Sequence, residues 1–167
     1  MTKGNTMIQI LPVTTARERN LFLTFPWRIY KGDPLWVPPL LKDRAKATDP
    51  KTGIFFKDDV AEFFIAWKDG QPAGTLCLAE EKGRTRHRGH AECMYGFVEC
   101  VDDYAVFEAM FAHAETWARA RNMICLYGPF NLDREDSRGI LVEGRDRPPA
   151  IYCGHHPPYY REFFERY

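Results

Sequence analysis

The sequence lacks any apolar run long enough to cross a bilayer. Its longest stretches, such as Phe63 to Trp67 and Met123 to Tyr127, fall far short of the roughly 20 residues a membrane helix needs. The opening residues, MTKGNTMIQIL, have no signal-peptide core, so a cytoplasmic protein with no membrane partner is expected. Charge of one sign is also missing, with 23 Lys plus Arg against 23 Asp plus Glu. No whole-molecule field draws the chain to nucleic acid, and no nucleic-acid partner is expected. The C-x-x-C spacing is absent. The five cysteines, Cys77, Cys93, Cys100, Cys125 and Cys153, sit mostly in apolar runs and read as reduced core residues rather than disulfide or zinc partners. The five histidines are scattered, and the adjacent His155 and His156 cannot both face one metal without a third ligand, so no metal site is expected. Internal repeats and low-complexity segments are absent.

What is present is the material of one core. With 167 residues, 45% of them hydrophobic and 14% aromatic, the chain is of single-domain size and excludes a disordered tail, a collagen-like rod and a Leu-rich coiled coil. Residues 1–6 are expected as a flexible start and 7–167 as one domain. Met7 to Val13 reads as a first strand. Thr15 and Glu18 form a capping box at the start of a helix that carries Leu21, Phe22 and Phe25 until Pro26 interrupts it. Trp27 to Leu40 holds three prolines and two tryptophans and reads as an ordered arm in which Trp27, Tyr30 and Trp36 clamp onto the domain. A second short helix is expected over Leu40 to Ala47.

Val60 to Trp67 and Pro72 to Glu80 flank an Asp69-Gly70 turn, a strong hairpin signal. Lys82 to His90, the only basic run, reads as a solvated loop before a fourth strand at Ala91 to Val101. Asp102 or Asp103 then caps a helix whose Phe107, Met110, Phe111, Ala114, Trp117 and Ala118 recur at helical spacing. Met123 to Gly128 follows as a buried strand. Strand, helix and strand with tight connections predict a right-handed crossover, so the fourth and fifth strands are expected to be parallel. The tail from Tyr159 to Tyr167 predicts a helix with Tyr160, Phe163, Phe164 and Tyr167 on one face.

Several segments carry a more specific signature: FPWRIYKGDPLWVPPL (Phe25 to Leu40), FF at Phe55 and Phe56, YGFVE (Tyr95 to Glu99), GPFN (Gly128 to Asn131), GILVEG (Gly139 to Gly144) and PPYY (Pro157 to Tyr160). From about Leu21 onward the chain resembles a bacterial GNAT-like family, related to the Gcn5-type N-acyltransferases, whose aromatic opening precedes a GNAT core. The resemblance implies an α/β domain with a mixed sheet and a parallel pair at strands four and five. It also implies a longer protein, of which this chain is expected to be an N-terminal portion. One departure stands out: the usual glycine-rich pyrophosphate loop is replaced by VDDYAVFEAM (Val101 to Met110), which has no glycine and carries two carboxylates.

The activity implied is transfer of an acyl group from acetyl-CoA or another acyl-CoA to an amine of a small molecule. A non-catalytic GNAT-like module that binds a ligand or pairs with another subunit is the alternative. By resemblance, the backbone of Gly96, Phe97 and Val98 would run along the pantetheine arm; read from the residues alone, the same stretch is a buried strand with a glycine bulge. Glu99, near the carboxyl end of its strand, is placed as general base for the amine or else as a surface carboxylate. Resemblance assigns Tyr160 as general acid toward the leaving thiolate, with Tyr159 beside it as a substrate contact. The long non-periodic stretch after strand five is the expected binding loop. Asn131 and Asp136, with Asp133, Arg134, Glu135 and Arg138, are its candidate contacts for a polar or cationic acceptor. A homodimer is expected, resting on the aromatic face of the last helix and the open edge of strand five.

Overall fold

A computed structural model describes residues 6–132 and 136–167. Five strands form one sheet in the order β1-β2-β3-β4-β5: Ile8–Pro12, Val60–Lys68, Gln71–Glu80, Cys93–Cys100 and Leu126–Tyr127. The first four are successively antiparallel, and β5 lies parallel to β4 with Cys93 opposite Leu126 and Met94 opposite Tyr127. This is the mixed α/β sheet with a parallel fourth and fifth strand that the element order predicted.

Local chemistry accounts for most of the elements. Thr15 caps α1 (Ala16–Thr24) through the expected box with Glu18. Pro26 ends α1 but does not end helical backbone. It becomes the first residue of α2 (Pro26–Ile29), the position where its missing N–H has no partner to lose. A short α3 spans Leu41–Ala47. The β2–β3 hairpin closes with Lys68 opposite Gln71, and Asp69 and Gly70 both at positive φ, the two-residue turn that suits twisted strands.

The basic segment differs from expectation. Lys82–Arg88 is a helix, α4, ended by Gly89 at φ +77, where a left-handed residue closes the last turn. Its Arg84 is ion-paired with Glu92 and lies over the Tyr127 ring at 4.1 Å, so this residue is packed rather than solvated.

The helix α5 (Tyr104–Arg119), capped by Asp103, buries Val106, Phe107, Met110, Phe111, Ala114, Trp117 and Ala118 against one sheet face. On the same face α6 (Tyr159–Arg166) sets Phe163 and Phe164 against Phe107. Phe163 is buried, so much of the aromatic face of α6 is covered within the chain. On the other face Phe22 of α1 meets Phe63 of β2 and Phe97 of β4.

Two expectations about burial fail near the end of the sheet. The fifth strand is two residues long, because the chain turns away at Gly128-Pro129, and Ile124 is largely exposed. Cys77, Cys93 and Cys100 are core residues, whereas Cys125 and Cys153 are exposed: the first belongs to that shortened edge and the second to the surface loop before α6. Among the described residues no helix is long and apolar enough to cross a membrane.

Candidate functional site

The site begins with an irregularity in β4. Thr75 of β3 pairs with Glu99, but Cys77, two residues on, pairs with Gly96, so β4 carries one extra residue between the same two rungs. Phe97 takes it up at φ +48, a left-handed conformation rare for a bulky side chain. Thr75 donates its hydroxyl to the Phe97 carbonyl at 2.8 Å, serving an oxygen the bulge displaces from the ladder. The extra residue also reverses the strand's alternation. Tyr95 packs on Phe111 beneath α5, whereas Phe97, two positions later, packs on Phe22 and Phe63 of the opposite layer.

Glu99 follows the bulge. Its Oε2 accepts the phenol protons of both Tyr160, at 2.9 Å, and Tyr30, at 3.1 Å. Protein surrounds the carboxylate while leaving part of it open to a cavity, and this burial raises its pKa to about 7. The two phenols and the Arg44 guanidinium oppose that rise without cancelling it. Tyr160 is itself fixed, since its oxygen accepts the backbone N–H of Cys100 at 2.7 Å. Burial, with Glu99 close by, holds both phenols well above the usual tyrosine range.

The cavity, of about 550 Å³, lies between the aromatic arm, α1, α3, the end of β4 and the loop before α6. Trp36 stacks on Tyr30 at 4.8 Å between ring centres and meets the edge of Trp27 at 5.1 Å, so the arm forms one wall. Arg44 of α3 reaches across the mouth to Asp136 at 3.4 Å and lies 5.1 Å from the Phe97 ring centre. In the loop wall, His155 pairs through Nε2 with Asp33 of the arm at 2.7 Å. Burial lowers the His156 pKa to about 4, and its Nδ1 accepts the Leu141 N–H at 3.0 Å, so this ring braces the loop in its neutral form.

The residues selected from sequence are thus partly gathered. Glu99 and Tyr160 are in contact, and Phe97, Val98, Asn131 and Asp136 share their cavity. Tyr159 points elsewhere, giving its hydroxyl proton to the Cys100 carbonyl at 2.8 Å and packing on Phe163. Gly96 lies under the crossing chain, where a Cβ would overlap the Phe130 carbonyl. The Asn131 side-chain oxygen accepts the Phe97 N–H at 2.7 Å, and Phe130 donates its own N–H to Tyr95 at 2.8 Å. The segment after β5 therefore lies directly along β4. Asp133, Arg134 and Glu135 lie outside the described residues, and Arg138 lines a separate pocket beside α4.

At the start of α5, Asp103 caps the helix and is ion-paired with Lys68, so the end where an anion would dock holds the chain's own carboxylate. Among the described residues, no group of three His, Cys, Asp or Glu side chains could hold a metal ion. Sequence reasoning missed Tyr30 as a partner of Glu99, and it missed Arg44, Asp33 and His155 as cavity residues. The only signals were the aromatic density of the arm, which singled out Tyr30 as a packing residue, and the paired histidines.

No protein-family model matches the chain. It is 36% identical over 160 residues to the bacterial ceramide synthase of Caulobacter vibrioides, covering 93% of this chain and 41% of that protein. It is 30% identical over 148 residues to protein YghO of Escherichia coli, covering 87% of this chain and 37% of that one. The chain therefore spans about two fifths of the length of the curated relatives it matches. Among solved structures, FeeM, an N-acyl amino acid synthase from uncultured soil microbes, aligns with a TM-score of 0.47 and 11% identity, over 71% of this chain and 69% of that one.

Proposed function

We propose that this chain carries the acyl-transfer site of an N-acyltransferase, one that moves an acyl group from an acyl-CoA to the amine of a small molecule. The observation that carries this reading is Glu99: a carboxylate pinned by two phenols in a cavity wall, with a pKa of about 7. A base tuned near neutral pH is what deprotonation of an attacking amine requires. The similarity to a protein named as a synthase of ceramide, an N-acylated amine, supports the same chemistry.

In this reading the neutral amine attacks the thioester carbonyl and its proton passes to Glu99. Tyr30 and Tyr160 are positioning residues. The Tyr160 proton is committed to Glu99 and its oxygen to the Cys100 N–H, an arrangement that suits holding the carboxylate better than protonating a thiolate. Phe97 would help polarise the carbonyl only if Asn131 released its N–H.

The test is thiol release from acyl-CoA in the presence of primary amines. Glu99→Gln should lower the rate by about 10² to 10⁴-fold, the usual span for a general base. The alternative, a non-catalytic ligand-binding module, draws on the carboxylate-capped start of α5. It would be supported by thermal stabilisation with acyl-CoA, about 2.7 kcal/mol at a hundred times the dissociation constant, with no thiol released under any condition.

A further inference from the structure

The reaction just described leaves one proton unassigned. The departing thiolate must be protonated, and Tyr160 is already engaged on both sides. His155 lines the same cavity and could supply that proton. The His155 side chain is only 5% exposed, its Nε2 is 2.7 Å from Asp33 Oδ2, and its Nδ1 is buried with no hydrogen-bond partner. His155 lines the cavity, and a buried polar nitrogen without a partner is costly unless a bound group completes it.

Asp33 is arranged to stay ionised. It accepts the Leu35 N–H at 2.9 Å, and that bond, with the His155 contact, holds its pKa below the usual carboxylate value. An ionised Asp33 accepts the Nε2 proton and orients the ring, so that Nδ1 is the nitrogen left to exchange a proton. The groups around the ring are Asp33 from the arm, Tyr30 just after α2, whose ring centre is 6.2 Å away, and the adjacent His156. Tyr30 also donates to Glu99, so it lies between the two halves of the site.

Resting on the acyl-transfer reading above, we propose that His155, oriented by Asp33, is the general acid that protonates the leaving thiolate through Nδ1. The C–N bond forms as the C–S bond breaks. The amine proton goes to Glu99, and the Nδ1 proton of the imidazolium goes to sulfur. Glu99 then loses its proton to solvent and His155 regains one, so the net transfer is one proton from nitrogen to sulfur.

The test compares two donors of one acyl group: the CoA thioester, and an S-aryl thioester whose thiol is far more acidic and needs no proton to leave. His155→Gln keeps a side-chain nitrogen near Asp33 and removes the titratable one. It should lower kcat about 10²-fold with the CoA thioester. With the aryl thioester the fall should be less than about tenfold. Equal falls with both donors, or a wild-type rate with the CoA thioester, would overturn the assignment. Asp33→Asn should show the same donor dependence in weaker form, and it decides the matter if His155→Gln does not fold. Wild-type protein that releases no thiol while Glu99→Gln is equally silent overturns the acyl-transfer reading itself. Independently of activity, the ¹⁵N shifts of the imidazole in the free protein should report a proton on Nε2 of His155, and a neutral ring protonated only on Nδ1 would rule the dyad out.

Discussion

Tyr160 donates its phenol proton to Glu99 at 2.9 Å across 61 positions of sequence, and the same oxygen accepts the Cys100 N–H at 2.7 Å. One hydroxyl thereby ties α6 to both the side chain and the backbone at the end of β4. Replacing it tests both ties. Tyr160→Phe should cost about 1 to 3 kcal/mol, because a buried N–H and a buried carboxylate each lose a partner. Tyr30→Phe, which removes only the contact with Glu99, should cost less. In both variants the loss of a donor to the charged form should raise the Glu99 pKa further, moving the rising limb of the pH–rate profile upward. Denaturant titration and rates measured between pH 5 and 9 check the two effects separately.

Glu99 also makes stability depend on pH in an uncommon direction for a carboxylate. Its folded pKa of about 7 exceeds the ordinary 4.5, so between those values the folded state binds the proton more tightly than the unfolded state. The stability it contributes is fully present below pH 4.5 and is lost as pH rises through 7, a difference of about 3 kcal/mol. Glu99→Gln should remove this dependence, since both phenols donate to a single oxygen that an amide can replace. Urea unfolding at pH 5 and pH 8 measures it, and parallel slopes for wild type and variant would contradict the assignment.

Gly96→Ala should be among the most damaging single-methyl changes. The new Cβ would overlap the Phe130 carbonyl, and both partners are backbone, so neither can swing aside. A loss of about 3 kcal/mol is expected, at the upper end for overpacking. Gly89→Ala is the comparison: φ is +77 but the space is open, so the cost should be about 1 kcal/mol. Melting temperatures of the two variants side by side decide between these costs.

Trp36→Ala separates packing from binding. Trp36 is half-buried and stacked on Tyr30 in the cavity wall, so its loss should cost about 1 to 2 kcal/mol, less than for a fully buried aromatic. Its effect on acyl-CoA binding should be larger than its effect on melting. A binding isotherm unchanged in the variant would restore the arm to a purely structural role.

Local signals carried much of the fold. The Thr15–Glu18 box, the Asp69-Gly70 turn and the helical spacing of Phe107, Met110 and Phe111 each act within a few residues, and each element formed where they indicated. Lys82–Arg88 carries no apolar period that would mark a helix; its helix is secured by Gly89 and by the packing of Arg84 on Glu92 and Tyr127. The fifth strand is shorter than the apolar run Met123 to Gly128 predicts, because such a run cannot show where its pairing partner ends. In the site, Glu99 and Tyr160 were legible from their positions in the resemblance. Asp33 and His155 were not, since 122 positions separate them.

By itself the sequence determined most of the element types, α4 excepted, the parallel relation of β4 and β5, and the aromatic arm, because turn chemistry, caps and side-chain period are local properties of the chain. Only the tertiary structure decided which side chains meet. The extra residue at Phe97 reverses the face that β4 presents, the arm folds back to set Tyr30 on Glu99, and Asp33 is carried to His155. Those contacts depend on how layers stack and where a strand bulges, and burial then sets the proton affinity of Glu99, which no run of neighbouring residues encodes.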